Sequence, residues 1–350
     1  MTNPCIVSIG TANPDFYLTQ SDAYRFYDTY GLMPAGQRDL YARLFLDGPI
    51  EGRHIGIGKP EDILNESVDG QIARFTAQGR AILARACRNA LGLAGIAPSD
   101  LGGIVVNTCT GYICPGMTSY LAEDLALRND IKAIDIMGMG CGAAIPNLEC
   151  GCGLLTRTRG RPVISASVEI CSATHLIDDD PGLTVSNAIF GDGAAAVVLQ
   201  ANPASAGSLE LLDFETGIFP EHREALRYRH ENGRLRNTLT RRVPLIGAQC
   251  IETVCERILA RNGMRTDDVA WWAVHAGGTE VLRQVAKKMR IPLSALDASV
   301  KVFEKYGNMS SPTVLFALKE MQAQKLTRGP GLILAFGAGF TAFAALAQGA

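Results

Sequence analysis

At 350 residues, 47% hydrophobic and 19% charged, the chain can bury two sizeable cores and is too apolar for a disordered polymer. Its net charge of −2 gives no reason to expect nucleic acid or an anionic membrane as a partner. The ten cysteines follow no framework spacing and residues 1–10 carry no secretory pattern, so reduced thiols in a cytoplasmic protein are expected.

In chain order, residues 6–9 read as a short apolar strand and 70–91 as a helix with Arg and Gln between its apolar positions. A strand at 103–107, a helix at 119–127, a strand at 133–137 and a helix at 143–157 follow. Strands are expected at 161–169 and 193–200, then a charge-rich joint without clear periodicity over 202–238. Beyond it come a strand at 271–274, a helix at 313–323 and a buried strand pair, rather than a membrane span, over 332–350. Such alternation predicts an α/β protein with largely buried sheets.

Ile189-Phe-Gly-Asp-Gly-Ala-Ala-Ala-Val-Val-Leu199 is echoed by Leu334-Ala-Phe-Gly-Ala-Gly-Phe-Thr-Ala-Phe-Ala-Ala-Leu346. Both set Phe-Gly-x-Gly before a strand of small apolar residues. Two related halves, 1–205 and 206–350, would explain the echo; two unrelated glycine hairpins are the alternative.

Cys141 lies in Met137-Gly-Met-Gly-Cys-Gly-Ala-Ala-Ile-Pro146, between an apolar strand and an Ala/Leu-rich helix. About half a positive charge at a helix N-terminus favours thiolate, and flanking glycines admit a substrate carbonyl. The plainer reading is a small buried thiol. His275 ends a strand ahead of Gly277-Gly278, and Asn308 stands in Gly307-Asn-Met-Ser-Ser-Pro312 before a helix. Singly, the histidine could be a hydrogen-bonded core residue and the asparagine a turn or cap. Together, a Cys, a His and an Asn at glycine-framed junctions point to acyl transfer through a thioester. A papain-like protease uses the same residue types, but its cysteine lies near the mature N-terminus in a different signature. Cys150-Gly-Cys152 has no second ligand pair at zinc spacing, so no metal site is expected.

Six ordered landmarks make a resemblance specific: Gly140-Cys-Gly-Ala-Ala, Val168-Glu-Ile170, Phe190-Gly-Asp-Gly, His275-Ala-Gly-Gly278, Gly307-Asn-Met-Ser-Ser311 and Ala335-Phe-Gly-Ala-Gly339. From about residue 100 onward the chain resembles the type III polyketide synthases, the chalcone-synthase-like branch of the thiolase superfamily. That resemblance implies a thiolase-like five-layered αβαβα fold of two duplicated halves and a homodimer. It implies acyl-coenzyme A and malonyl-coenzyme A as substrates, with no metal or other cofactor. On it, Cys141 would carry the acyl group while His275 and Asn308 assist decarboxylation and stabilise the enolate. Phe190 would be a gatekeeping aromatic, and Arg43 would meet coenzyme A phosphates unless it is simply an exposed helix arginine. Cys109, Thr110 and Cys114 would line an acyl pocket whose small side chains favour an alkyl starter, with Thr174, Asn237 and Ser310 also against substrate. Asn237 falls where a second gatekeeping Phe is usual, and Ala276 and Ala338 replace family prolines; these departures would change cavity shape and loop stiffness, which bears on the product rather than on the Cys/His/Asn set. Glu169 reads as a structural carboxylate, with the positioning of a cyclising water as the alternative. The rival functions are a single-condensation enzyme like ketoacyl synthase III, a hydroxymethylglutaryl-type Claisen enzyme, and a silent partner subunit.

Overall fold

The computed structural model describes residues 3–201 and 207–349. Its strands are β1 (Pro4–Ala12), β2 (Tyr17–Thr19), β3 (Gly52–His54), β4 (Gly103–Thr108), β5 (Lys132–Met137), β6 (Val163–Ile170), β7 (Asp192–Ala201), β8 (Leu209–Ile218), β9 (Leu226–Glu231), β10 (Arg234–Leu239), β11 (Trp271–Val274), β12 (Gly329–Gly337) and β13 (Thr341–Gly349). Its helices are α1 (Gln20–Thr29), α2 (Arg38–Phe45), α3 (Val68–Ala94), α4 (Met117–Asp124), α5 (Ala144–Leu155), α6 (Pro181–Ile189), α7 (Val243–Arg261), α8 (Thr279–Met289), α9 (Asp297–Tyr306) and α10 (Thr313–Ala323).

Nine strands join in the order β11-β12-β13-β8-β1-β7-β6-β4-β5. The echo in the sequence becomes a repeated topology. β4 runs parallel to β6, β6 antiparallel to β7 and β7 antiparallel to β1; β11, β12, β13 and β8 repeat that series. The two series meet at a narrow seam, where β1 and β8 share the pairs Cys5↔Glu210 and Ile6↔Leu209. Strands β4 and β6 are buried on both faces: β4 reads as an apolar run, whereas β6 alternates, its buried Ser165 and Ser167 bonding to Asn147 and Asn107.

Three apolar clusters fill the spaces between layers. α3 covers the outer face of the first series with Phe75, Ile82, Leu83 and Leu91. α5 and α10 lie between the two series, where Ile145, Leu148, Val314 and Leu318 pack against Val197 and Ile333. α7 and α8 cover the second series with Ile251, Val254, Leu282 and Val285. Helix, sheet, helix pair, sheet, helix: these are the five layers of an αβαβα sandwich.

Expected elements appear with shifted ends: the 70–91 helix runs from Val68, capped by Ser67 accepting from Gly70 N, to Ala94, where Gly95 turns left-handed at φ 65°. The joint is more structured than its periodicity predicted, since β8 and the β9–β10 hairpin form within it. β8 is a half-exposed strand bearing Asp and Glu, so no clean alternation marked it. The expected division at 205/206 lies outside the described residues. Among the described residues no helix is long and apolar enough to cross a membrane.

Candidate active site

Strand β5 ends at Met137, and residues Gly140–Gly142 form a single 3-10 turn before α5. Gly140 adopts φ +65, and a Cβ there would sit 2.5 Å from Ala338 N; a Cβ on Gly337 would sit 2.2 Å from Met139 O. Only bare backbone on both sides lets the Cys141 turn seat against the C-terminal end of β12. The nucleophile candidate thus stands at the contact between the two halves.

Ser310 Oγ lies 3.3 Å from Cys141 Sγ, as donor, and 3.4 Å from Cys109 Sγ. Burial pushes the Cys141 thiol up to about 12; the Ser310 hydrogen bond opposes this and Glu169 adds to it. The expected thiolate preference at the start of α5 is therefore outweighed in the resting site: desolvation exceeds what a partial charge of about half a proton supplies.

His275 follows β11, fixed by its own N donating to Leu334 O at 2.8 Å. It is 2% exposed, its Nδ1 has no hydrogen-bond partner among the described residues, and burial lowers its pKa to about 4. A neutral imidazole is the resting form. Asn308 lies between α9 and α10 and is not a helix cap, since Pro312 precedes α10. Its N donates to Ile189 O at 2.8 Å and its carbonyl accepts from Gly191 N at 3.0 Å, bridging it to the Phe190 segment. Its carboxamide Nδ2 donates to Gly277 O at 3.4 Å, and Oδ1 accepts from Ser310 N at 2.8 Å. The chain of contacts from the loop after His275, through Asn308 and Ser310, to the Cys141 sulfur is continuous.

Ser310 holds a left-handed backbone at φ 58°, sparsely populated for a residue with a Cβ. Its hydroxyl also lies 3.4 Å from Glu169 Oε1. Glu169 is fully buried and saturated: Oε2 accepts from Cys109 N (2.9 Å), Thr110 N (3.1 Å), Thr110 Oγ1 (2.8 Å) and Thr108 Oγ1 (3.2 Å), and Oε1 accepts from Ser311 Oγ at 2.6 Å. Burial raises its pKa and these donors oppose the rise. A carboxylate so fully engaged is a scaffold for the Cys109–Thr110 and Ser310–Ser311 loops.

Five of the remaining candidates line three cavities. Arg43, exposed on α2, lines a cavity of about 520 Å³ that reaches Ile189, Gly277 and Gly278. Phe190, Thr174 and Asn237 line a second, smaller one of about 60 Å³, mostly apolar, under Phe26 and Ile57. Asn237 is buried, its Nδ2 donating to Ser186 Oγ at 3.1 Å. Thr110 faces a third with Phe75, Tyr112 and His230. Cys109 is buried beside Ser310, whereas Cys114 is exposed on its loop.

Tyr228 was not legible in the sequence. It lies on β9 opposite Asn237, near Thr174 Oγ1 at 3.4 Å. Burial drives its phenol pKa well up, with the sulfurs of Cys171, Cys109 and Cys141 close enough to add to the shift. It belongs to the charge-rich joint, where nothing in the pattern distinguished an inward tyrosine.

The layering and the glycine-framed Cys, His and Asn define a thiolase-fold acyltransferase. Residues 55–213 match the family described as FAE1/type III polyketide synthase-like protein, and 211–349 match the chalcone and stilbene synthase C-terminal domain. A 1,3,6,8-tetrahydroxynaphthalene synthase of Streptomyces peucetius subsp. caesius is 30% identical, covering 96% of this chain and 91% of the relative. A 3,5-dihydroxyphenylacetyl-CoA synthase of Streptomyces toyocaensis is 29% identical, covering 99% and 90%. Among solved structures, the C-terminal type III polyketide synthase domain of Steely1 from Dictyostelium superposes with a TM-score of 0.92 at 23% identity, covering 99% of each chain. The chain belongs to the type III polyketide synthase family. It is an acyltransferase that condenses acyl-coenzyme A with malonyl-coenzyme A decarboxylatively and cyclises the product.

Proposed function

We propose that Cys141 carries the growing acyl chain and that His275 and Asn308 act on malonyl-coenzyme A. The observation that supports this most is the unbroken contact path from Gly277, through the Asn308 carboxamide and Ser310, to the Cys141 sulfur. The resting thiol and imidazole are both neutral. As a starter thioester arrives, the thiol proton passes to His275 and the thiolate adds to the thioester carbonyl. Coenzyme A then leaves as a thiol, taking back the proton. His275, again neutral, and the Asn308 amide donate to the malonyl thioester carbonyl while the carboxylate departs as carbon dioxide. The enolate so formed attacks the Cys141 thioester, expelling the sulfur and lengthening the chain by two carbons. Arg43 would meet coenzyme A phosphate at the mouth of the larger cavity, and Phe190, Thr174, Asn237 and Ser310 would contact acyl chain, with Cys109, Thr110 and Cys114 near it.

The relatives' names carry hydroxyls in meta relation, so a resorcinol-type ring is our favoured product and a pyrone the second reading. The apolar lining beside Phe190, with Phe26, Ile57 and Leu183, supports an alkyl starter. The reading needs no cofactor beyond the coenzyme A thioesters. A homodimer in the cytoplasm completes it: β5 is a sheet edge whose Lys132–Asp135 stretch is exposed, including Ile134 at 36%.

Incubation with a ladder of acyl-coenzyme A starters and malonyl-coenzyme A, read by product mass, tests the proposal. Products lengthened by two or more units without a carrier protein are expected. A single extension, or activity only with an acyl carrier protein, would replace it with the ketoacyl-synthase III reading.

A further inference from the structure

Helix α6 ends where the larger cavity, the smaller cavity and Asn308 meet. Ile189 lines the first cavity, Phe190 the second, and both flank the backbone that pairs with Asn308. The last carbonyls of a helix lack intrahelical donors and need others. Here Asn187 O accepts from Arg53 Nη1 at 2.6 Å, Ala188 O from Gln20 Nε2 at 3.0 Å, Ile189 O from Asn308 N at 2.8 Å, and Phe190 O from Arg53 Nη1 at 2.7 Å. Arg53 Nε also donates to Gln20 Oε1 at 3.0 Å, so the two side chains form one clamp.

Arg53 is 4% exposed, and each of these bonds goes to a neutral oxygen. A cation is at home at the negative end of a helix dipole, but a buried one is costly unless every bond is used. Its stem is wedged as well. A Cβ on Gly307, the residue before Asn308, would meet Arg53 Cγ and Cδ at 3.0 Å, and one on Gly191 would meet Arg53 Cβ at 3.3 Å. Its guanidinium carbon lies 5.7 Å from the centre of the Phe45 ring, so α2, which carries Arg43, braces it from the other side.

We infer that Arg53, with Gln20, is a positioning residue that fixes Phe190 and the Asn308 carboxamide in one geometry, so that the decarboxylating group is registered against the gatekeeping side chain. The inference rests on the decarboxylating role proposed for Asn308. It assigns Arg53 no contact with substrate. Cys141 is seated by β5 and the end of β12 and meets the clamp only through the Asn308–Ser310 hydrogen bonds, so starter loading is expected to depend on the clamp far less than decarboxylation does.

Arg53→Met, Arg53→Lys and Asn308→Ala are compared for two readouts: acyl loading on Cys141 by intact mass, and carbon dioxide release from malonyl-coenzyme A. For Arg53→Met, loading within about twofold of the parent and release reduced about 10- to 100-fold, in kcat more than in KM, are expected, because a shift of about 1 Å costs up to roughly that much. Arg53→Lys keeps charge and stem but not the fork, and is expected between the two. Should Arg53→Met fail to fold, Arg53→Lys decides by the same split. Parental release in a folded Arg53 variant, or equal losses of loading and release, overturns the inference. Parental release in Asn308→Ala instead overturns the role of Asn308 and leaves the clamp a structural cap.

Discussion

Two residues at the site are held in their neutral forms by burial, and this has a measurable consequence for stability. His275 has a folded-state pKa of about 4 against an ordinary 6.5, so below pH 6.5 the unfolded chain binds the proton more readily. Stability attributable to this group is therefore intact above pH 6.5 and declines as pH falls towards 4, by about 3 kcal/mol in total at 1.36 kcal/mol per pKa unit. His275→Gln should flatten the fall of Tm between pH 6.5 and 4 relative to the parent; an unchanged slope would show that the imidazole is not buried as described. Ser310 offers the complementary test. Removing its hydroxyl takes away the hydrogen bond that opposes burial at the Cys141 sulfur. Ser310→Ala should slow iodoacetamide alkylation of Cys141 about fivefold, the equivalent of one hydrogen bond of about 1 kcal/mol. The three polar candidates were legible because each stands in a glycine frame. Tyr228, Arg53 and Gln20 were not, because their neighbours are charged or irregular and their partners lie on distant segments.

At the scale of elements, the close approach of two turns sets the proposed nucleophile. Gly337→Ala would place a methyl 2.2 Å from Met139 O, displacing the Cys141 turn from β12. Condensation should fall by about 100-fold with a lower Tm. Gly92→Ala, in α3 where an added Cβ meets nothing within 4 Å, should raise stability by up to about 1 kcal/mol and leave activity alone. Equal effects of the two substitutions would remove the steric reason given for Gly337. The buried strand β4 was readable as an apolar run, and α10 was readable to its ends. β8 was not, since its Glu, Asp and Thr side chains break the run that marks a buried strand. Helix α6 was hidden for a different reason: its nine residues, Pro-Gly-Leu-Thr-Val-Ser-Asn-Ala-Ile, hold few strong helix formers, and packing with capping by Arg53 and Gln20 holds it.

Across the whole molecule, the repeated strand order is what the Phe-Gly-x-Gly echo pointed to, and it places the proposed active site where the halves touch. The first half supplies Cys141, Cys109 and Glu169; the second supplies His275, Asn308 and Ser310. A site so divided is legible as residue types in order, but the cavities are not, because their walls come from the early helices and the β9–β10 hairpin. The open β5 edge belongs to this scale too. Light scattering should give a mass of two chains, and Ile134→Lys, which puts a charge on that edge, should shift it towards one. A monomeric parent would contradict the proposed dimer without touching the chemistry.

Intact-protein mass after brief exposure to a starter acyl-coenzyme A, with no malonyl-coenzyme A present, tests the central claim most directly. One acyl group per chain, mapped to the peptide containing Cys141 and lost in Cys141→Ala, is the predicted result. An adduct on any other of the ten cysteines, or one that persists in Cys141→Ala, would contradict it.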